Sequence, residues 1–265
     1  MSAADRERTS TQAATRTVDF SRDDTVAHIE LDRPPLNVLN ISMLAELNDI
    51  LLTIVADPTI RVVRVSGRGK AFSAGVEVAE HLPDRAPEML AAFDETIALL
   101  RRVEAPVVAQ LHGSALGGGL ELALCADVVV CAEGTRLGQP EVRLGALAPV
   151  AAVLLPRLCG PRVAAELMLT GAVIDAAEAL RIGLVSRVVP ADRLDAEADA
   201  LVASIAQWSG PVLRGIKRAV NRTAATSGEL MTASRDCLDM LLDLEDAEEG
   251  MRSFLEKRAP VWRDR

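Results

Sequence analysis

In the first part of the chain, segments whose hydrophobic residues have strand spacing alternate with segments that have helical spacing. Near the C-terminus the hydrophobic residues show helical spacing alone. Residues 16–32 are predicted as a β-hairpin, since apolar and polar side chains alternate along its second arm. Apolar residues at helical spacing fill 41–56 and 88–103, with a short apolar strand at 62–66 between them. Beyond Pro190 the pattern is helical throughout, at 191–208, 211–224, 227–241 and 244–257. This order predicts an α/β core followed by a helical C-terminal region.

The stretch from Ala105 to Asp127 carries the first candidate chemistry. An apolar strand at 106–111 leads through three consecutive glycines, 117–119, into a helix whose first turn contains Glu121. Without a Cβ the glycine backbone admits close approach, and the unpaired N–H groups at the start of a helix favour an anion or an oxygen that gains negative charge. Such a run is also typical of tight packing between a helix and a strand, and the residues alone leave both interpretations open.

Several shorter segments complete the outline. The loop at 67–75 begins and ends with glycine but lacks the spacing of a Walker motif, so we reject nucleotide phosphate chemistry there. Residues 77–87 are predicted as a mobile flap over a pocket, and 135–141 as an exposed turn that carries a second acid, Glu141. The remaining predicted elements are strands at 128–132 and 185–189 and helices at 148–158, 162–169 and 175–182.

Composition narrows the functional classes. The 265 residues carry a formal net charge of −9, which argues against nucleic acid or an anionic membrane as the main partner. The sequence has no tyrosine and only 3 histidines, so tyrosine-based acid–base catalysis and a multi-histidine metal site are disfavoured. Its 4 cysteines form no CxxC pair and indicate free thiols in a cytoplasmic protein. Residues 1–15 are polar and are expected to form a disordered tail.

Four segments, in their order and spacing, resemble the crotonase, or enoyl-CoA hydratase/isomerase, superfamily. They are LDRPPLNVLN at 31–40, GRGKAFSAGVEV at 67–78, HGSALGGGLELALCAD at 112–127 and LGQPEVRLG at 137–145. The resemblance implies an α/β fold, a spiral of repeated β-β-α turns over about residues 16–195 that binds acyl-CoA and holds the catalytic site. It also implies a helical C-terminal region, about residues 196–265, that builds a homotrimer or homohexamer.

The resemblance also implies how the site works. The ligand would be an acyl-CoA thioester whose carbonyl oxygen is polarised by the backbone N–H groups of Val76 and Gly118, an oxyanion hole. Glu121 and Glu141 match the two family glutamates that flank a water. Two carboxyl groups in opposite protonation states can take a proton from water and give one to the α-carbon. The coenzyme A thioester is the substrate, and no metal or redox cofactor is implied.

Further residues are assigned by the same resemblance. The residues expected to bind the CoA thioester are Ala74, Gly75, Glu77, Val78, Gly117 and Lys257. Lys217 is an additional candidate for a CoA phosphate, and Asp127 is expected to be structural. Gln139 and Pro140 are expected to fix the turn that aims Glu141.

The expected reaction is the reversible hydration of an α,β-unsaturated acyl-CoA, because both acids are retained. The alternatives are another crotonase reaction, either double-bond isomerisation or thioester hydrolysis, and a non-catalytic homologue that binds acyl-CoA or RNA. After Gly145 the family's glycine-rich run is replaced by apolar residues, and positions 149–152 (PVAA) are expected to form a bulkier wall of the acyl pocket. Together with GVEVAEHLPD at 75–84, this resembles the cyclohexa-1,5-diene-1-carbonyl-CoA hydratases, which makes a cyclic dienoyl-CoA a candidate substrate.

Overall fold

The computed structural model describes residues 16–221 and 226–263, so the tail expected at 1–15 lies outside it. The strands are β1 (Val18–Asp23), β2 (Val26–Leu31), β3 (Val62–Gly67), β4 (Val107–Leu111), β5 (Ser114–Leu116), β6 (Val128–Ala132), β7 (Arg136–Gly138), β8 (Val173–Asp175) and β9 (Arg187–Val189). The helices are α1 (Ile41–Ala56), α2 (Ala86–Arg102), α3 (Gly118–Leu124), α4 (Pro149–Cys159), α5 (Pro161–Thr170), α6 (Ala176–Arg181), α7 (Leu194–Ala206), α8 (Gly210–Val220), α9 (Ser227–Asp243) and α10 (Glu245–Leu255). Single 3₁₀ turns lie at Val78–His81, Pro140–Leu144 and Ala191–Arg193.

The predicted hairpin of β1 and β2 opens a six-stranded sheet of order β1-β2-β3-β4-β6-β9. β1 is antiparallel to β2, and every later pair of neighbours is parallel. Parallel neighbours need a crossover, which α1 supplies between β2 and β3 and α2 between β3 and β4. β4 reaches β6 through β5 and α3. The glycine run therefore lies beyond the carboxyl end of a central strand.

A smaller sheet of order β5-β7-β8 holds the segments around this run, with β5 parallel to β7 and β7 antiparallel to β8. The prediction of an exposed turn at 135–141 is wrong here. Residues 136–138 form β7, in which Leu137 and Gly138 are buried. A strand of three residues is too short to produce a period-2 signal, which is why the sequence pattern does not indicate these strands.

Alternate side chains of the large sheet enter two different cores. Val63 of β3 packs in the main core with side chains from α1 to α4, whereas its neighbour Val62 faces α7 on the other side. α9 packs against α2 and α4, and α10 against the 3₁₀ turn at 140–144. The last helix, α10, thus lies against the segment that carries Glu141.

The helical pattern beyond Pro190 is confirmed as α7 to α10. The helix predicted over 211–224 is described up to Val220 in α8, and residues 222–225 lie outside the described ranges. No helix within the described part of the chain has the length and apolar character needed to cross a bilayer.

Candidate active site

Two of the three glycines in the run make room for a neighbouring segment. A Cβ on Gly118 would lie 2.5 Å from Val76 Cγ1, and one on Gly119 would lie 2.7 Å from the carbonyl oxygen of Ser73. Real Cβ atoms do not approach other atoms so closely, so only glycine permits this contact. The segment at 73–76 is further held by a β-bridge between Ser73 and Ala115. The packing interpretation of the glycine run is therefore confirmed.

The same packing leaves two backbone N–H groups, those of Val76 and Gly118, without an acceptor among the described residues. Leu39 donates its N–H to the Gly75 oxygen at 2.8 Å and accepts from the N–H of Glu77, also at 2.8 Å. The intervening Val76 N–H takes no part in this ladder. Gly118 is the first residue of α3, so its N–H has no intrahelical acceptor. Within the described residues neither N–H has a hydrogen-bond acceptor, and Val76 lies directly over Gly118.

Glu121 lies in the first turn of α3 and is buried, with 3% of its surface exposed. Its Oε1 accepts hydrogen bonds from the N–H groups of Val150 at 2.8 Å and Ala151 at 2.9 Å. These are early N–H groups of α4, which begins at Pro149 and has no side-chain cap of its own. Glu121 therefore caps α4 across space, and the positive end of that helix favours the ionised carboxylate.

Glu141 occupies the 3₁₀ turn that follows β7. Gly117, with φ of +50°, connects β5 to α3 and lies beside Glu141. A Cβ on Gly117 would lie 2.5 Å from Glu141 Oε1. With its amide nitrogen toward Glu141, the buried Gln139 donates to both carboxyl oxygens at 3.1 Å. Pro140 begins the turn, and Gly145, with φ of +68°, ends it. The neighbours expected to aim Glu141 do contact or adjoin it.

Burial raises the pKa of both carboxyl groups. The pKa of Glu121 rises to about 7, chiefly by desolvation, although the two backbone hydrogen bonds oppose the rise. The pKa of Glu141 rises to about 8, by desolvation and then by the negative charge of Glu121. Asp94, on α2, adds to the shift of Glu121 and has a raised pKa itself because of burial. The two hydrogen bonds from the start of α4 favour the ionised form of Glu121, so a proton shared by the pair is held preferentially by Glu141.

Both carboxyl groups line one cavity of about 480 Å³, together with Val76 and with Gly117, the residue before Gly118. Its wall is mostly apolar and includes Val76, Val78, Leu90, Phe93, Leu116, Leu147, Pro149, Met251 and Phe254. α9 contributes Cys237, whose thiol donates to the Leu147 oxygen at 3.2 Å, and α10 contributes Met251. A largely apolar cavity with a few convergent polar groups is typical of a site for a small organic ligand.

The residues predicted to bind the thioester divide into two groups. Ala74, Gly75, Val78 and Gly117 line the cavity. Glu77 does not, and its carboxylate instead lies 3.3 Å from Arg33. Lys257 is exposed just after α10 with φ of +56°, and its neighbours Phe254, Arg258 and Pro260 line the cavity in its place.

Other expectations are revised. Lys217 is directed into the protein, with Nζ 2.7 Å from Asp127 Oδ2 and 3.0 Å from the Ala105 oxygen. Asp127 also accepts from the Val107 N–H at 2.8 Å, in line with a structural role. Of positions 149–152, only Pro149 lines the cavity. Val150 and Ala151 are buried, and their side chains pack in the main core. Their N–H groups, at the start of α4, donate to Glu121.

Sequence reasoning misses the part of the wall supplied by α2, α9 and α10. Helical periodicity assigns Leu90 and Phe93 to an inner face but cannot distinguish a core from a cavity. The flap predicted at 77–87 does lie over the cavity, where Val78 and His81 of its 3₁₀ turn face the ligand space. No sequence signal marks His81 or Cys237, because their position depends on helices that meet only after folding.

Known proteins resemble this chain in sequence and in fold. Residues 21–265 match the family model described as enoyl-CoA hydratase/isomerase. The chain is 41% identical over 254 residues to a probable enoyl-CoA hydratase of Mycobacterium bovis, covering 94% of this chain and 98% of the relative. It is 34% identical over 251 residues to the cyclohexa-1,5-dienecarbonyl-CoA hydratase of Thauera aromatica, covering 93% and 96%. A crystal structure of an enoyl-CoA hydratase from Mycobacterium avium subsp. paratuberculosis has a TM-score of 0.84 at 28% identity, covering 94% of this chain and 99% of that one.

Proposed function

Because the chain belongs to the enoyl-CoA hydratase/isomerase family, we propose that Glu121 and Glu141 together add water to an α,β-unsaturated acyl-CoA thioester. The enzyme is a hydratase, a carbon–oxygen lyase, and the reaction is reversible. The observation that supports the assignment of these residues is that they lie close to one another in the folded protein. Two carboxyl groups with raised pKa values line the same cavity as Val76 and Gly117. The N–H groups of Val76 and of Gly118, which follows Gly117, have no acceptor among the described residues.

In this proposal Glu121 is the base. Its ionised carboxylate takes a proton from water while the water oxygen forms a bond to the β-carbon of the enoyl group. The π electrons move toward the thioester, and the carbonyl oxygen becomes an enolate oxygen. The two hydrogen bonds on Oε1 hold the carboxylate in place and leave Oε2 for the water.

The N–H groups of Val76 and Gly118 stabilise the enolate oxygen. Backbone donors that are already in position need no reorganisation as charge develops, and one such donor contributes roughly 3–4 kcal/mol in serine proteases. Glu141, which holds the proton at rest, then donates it to the α-carbon as the thioester carbonyl re-forms. Glu121 now carries a proton and Glu141 a charge, and exchange with solvent restores the starting state.

For the remaining ligand contacts, we propose that Ala74, Gly75, Val78 and Gly117 touch the thioester and the adjoining pantetheine arm. Glu77 and Lys257 lie outside the cavity wall and would reach only the nucleotide end of coenzyme A. For the acyl group, the cyclic dienoyl thioester is supported by the resemblance to the Thauera aromatica relative and by Pro149 in the wall. The scheme assigns every proton transfer to a carboxyl group and calls on no metal or redox cofactor.

A homotrimer or homohexamer is proposed for the assembly, with residues 196–265 as the contact region beside a spiral core at 16–195. An apolar stripe supports it: Val212, Ile216 and Val220 repeat every four residues along α8, Trp208 lies just before the helix, and all four are 56–69% exposed. Light scattering on Ile216→Glu beside the wild type tests this, and a wild type that is monomeric would contradict it. We infer a cytoplasmic location from the four free cysteines.

The decisive test measures the loss of enoyl absorbance together with the mass of the product. Crotonyl-CoA, a branched enoyl-CoA and cyclohexa-1,5-diene-1-carbonyl-CoA are offered to the wild type, to Glu121→Gln and to Glu141→Gln. We expect the wild type to add one water to at least one thioester, and each variant to lose that activity by at least about 10²-fold. Glu133→Gln is the matched control, since that glutamate is exposed in a turn away from the cavity. A shifted double bond or free CoA without a hydroxyacyl product would replace hydration with isomerisation or hydrolysis.

A further inference from the structure

The imidazole of His81 lines the cavity that holds both glutamates, yet the hydration step makes no use of it. His81 ends the 3₁₀ turn Val78–His81, which begins two residues after the proposed oxyanion donor Val76. It is half-buried, and the side chains beside it along the wall include Val78, Leu90 and Phe93. A polar ring on such a wall is either satisfied by the protein or available to the ligand.

The protein satisfies one of its two nitrogens. His81 Nδ1 lies 3.1 Å from the carbonyl oxygen of Glu77. A carbonyl oxygen only accepts hydrogen bonds, so Nδ1 carries the hydrogen. Burial lowers the pKa of His81, which keeps the ring neutral near pH 7. Nε2 is therefore a bare acceptor, and no described residue donates a hydrogen bond to it.

Three other polar side chains of the cavity wall are engaged with the protein. The Cys237 thiol donates to the Leu147 oxygen, and Ser253 Oγ donates to the Gly250 oxygen at 2.9 Å. Arg258 forms a two-pronged ion pair with Glu249. His81 Nε2 is not one of the fully buried side-chain atoms that lack a partner, so it is accessible, and a ligand in the cavity that carries a donor can form a hydrogen bond with it. Besides the two carboxyl groups, His81 Nε2 is thus a side-chain acceptor on this wall to which no described residue donates, whereas Arg143 on the same wall can only donate.

We propose that His81 is a specificity-determining residue whose Nε2 accepts a hydrogen bond from a hydroxyl or N–H group carried by the acyl part of the substrate. This inference rests on the proposed function, because it assumes that the cavity takes an acyl-CoA. It favours enoyl thioesters with a hydrogen-bond donor on the acyl group over the cyclic dienoyl thioester, whose acyl group carries no donor. The pantetheine arm also carries N–H groups, so the test must separate donors on the acyl group from donors on pantetheine.

The test measures binding, so that it does not depend on turnover. Three saturated six-carbon acyl-CoA thioesters are compared by calorimetry: one with a terminal hydroxyl, one with a terminal methoxy group and one unsubstituted. The proteins are the wild type, His81→Met, which fills similar space without the acceptor, and His81→Gln, which keeps a polar acceptor. His112→Met is the matched control, since that ring contacts the Gly69 oxygen and does not line the cavity.

We expect the wild type and His112→Met to bind the hydroxyl thioester at least about tenfold more tightly than the methoxy one. His81→Met should bind the two equally, and His81→Gln should recover part of the preference. An equal preference in the wild type and His81→Met would overturn the proposal. So would a loss in His81→Met that is the same for all three thioesters, because the donor would then belong to pantetheine.

The two proposals fail in different ways. Selective, His81-dependent binding by a protein that adds no water to the matching enoyl thioesters would contradict the hydratase scheme and support the role of His81. Water addition at equal rates to the hydroxyl, methoxy and unsubstituted enoyl thioesters, unchanged in His81→Met, would contradict the role of His81 and support the hydratase.

Discussion

Gly117 and Glu141 occupy adjoining space: a Cβ on Gly117 would lie 2.5 Å from Glu141 Oε1. The substitution Gly117→Ala therefore displaces the carboxyl group that we propose as the acid. We expect kcat/KM for a hydrated enoyl-CoA to fall at least about 10²-fold, since displacements near 1 Å have that effect on catalytic groups. Steady-state kinetics on the purified variant measures the loss.

Gly134→Ala is the control for this variant. Gly134 also has a positive φ, +79°, but a Cβ there would have no neighbour within 4 Å. Both variants should lose about 1–2 kcal/mol of unfolding free energy because an L-residue is strained in this conformation. Only Gly117→Ala should lose activity. If Gly134→Ala loses as much, backbone strain and not the position of Glu141 explains the effect.

The raised pKa of Glu141 predicts how stability depends on pH. The folded protein keeps a proton that the unfolded chain releases between its usual pKa of 4.5 and the folded value of about 8. Because the folded state binds more protons in this window, the free energy of unfolding falls as the pH rises through it. Glu141→Gln removes this contribution. Urea unfolding at pH 5 and pH 8 should therefore show a smaller decrease for the variant than for the wild type.

Glu133→Gln again supplies the comparison, since its exposed side chain lies outside the cavity. It should keep the decrease in unfolding free energy that the wild type shows between the two pH values. A Glu141→Gln protein with the same decrease as the wild type would mean that Glu141 ionises normally. The assignment of Glu141 as the group protonated at rest would then be wrong.

Gly250 is the residue of α10 that packs closely against the turn that carries Glu141. A Cβ on Gly250 would lie 2.4 Å from the Leu144 carbonyl oxygen, so α10 would have to move away. We expect Gly250→Ala to lose about 1–3 kcal/mol of unfolding free energy, as overpacked sites do. It should also lower kcat, because residues 140–144 shift. Thermal unfolding and steady-state kinetics measure the two effects.

Gly215→Ala, in the middle of α8, is the matched control. Nothing lies within 4 Å of a Cβ at that position, so the substitution should add about 0.5–1 kcal/mol of stability, the usual helix preference for alanine over glycine. Opposite signs for the two variants would attribute the loss at Gly250 to its contact. Equal gains in unfolding free energy for the two variants would mean that α10 is not in close contact with the turn.

Lys217 and Asp127 form a largely buried ion pair away from the cavity wall. Lys217→Met should cost about 1–3 kcal/mol of unfolding free energy, because it leaves Asp127 with an unpaired charge. KM for an acyl-CoA should not change. A large increase in KM without loss of stability would return Lys217 to the role of a CoA phosphate ligand.

The sequence by itself predicts most long elements, because their signals are local. The hairpin at 16–32, α1 at Ile41–Ala56 and the helices after Pro190 follow from the spacing of apolar residues. The helix predicted at 175–182 is found as α6, and Asp175 caps it, since its carboxylate accepts the N–H of Glu178 at 2.8 Å. Motif spacing also indicates both glutamates and the glycine run before any coordinates.

Only the tertiary structure decides what surrounds those residues. The sequence at 135–141 reads as an exposed turn, and it becomes the strand β7 because β5 and β8 pair with it from distant positions. Glu121 becomes the cap of α4 through contact with Val150 and Ala151, about thirty positions away along the chain. That contact, and the charge of Glu121 beside Glu141, determine which carboxyl group holds the proton.

The amino-acid sequence therefore determined most long elements, the family and the residue types that carry the chemistry, because these depend on local period and spacing. Folding decided the protonation states, the cavity wall formed by α2, α9 and α10, and the unfilled acceptor on His81. These depend on burial and on long-range contacts, which no local pattern encodes.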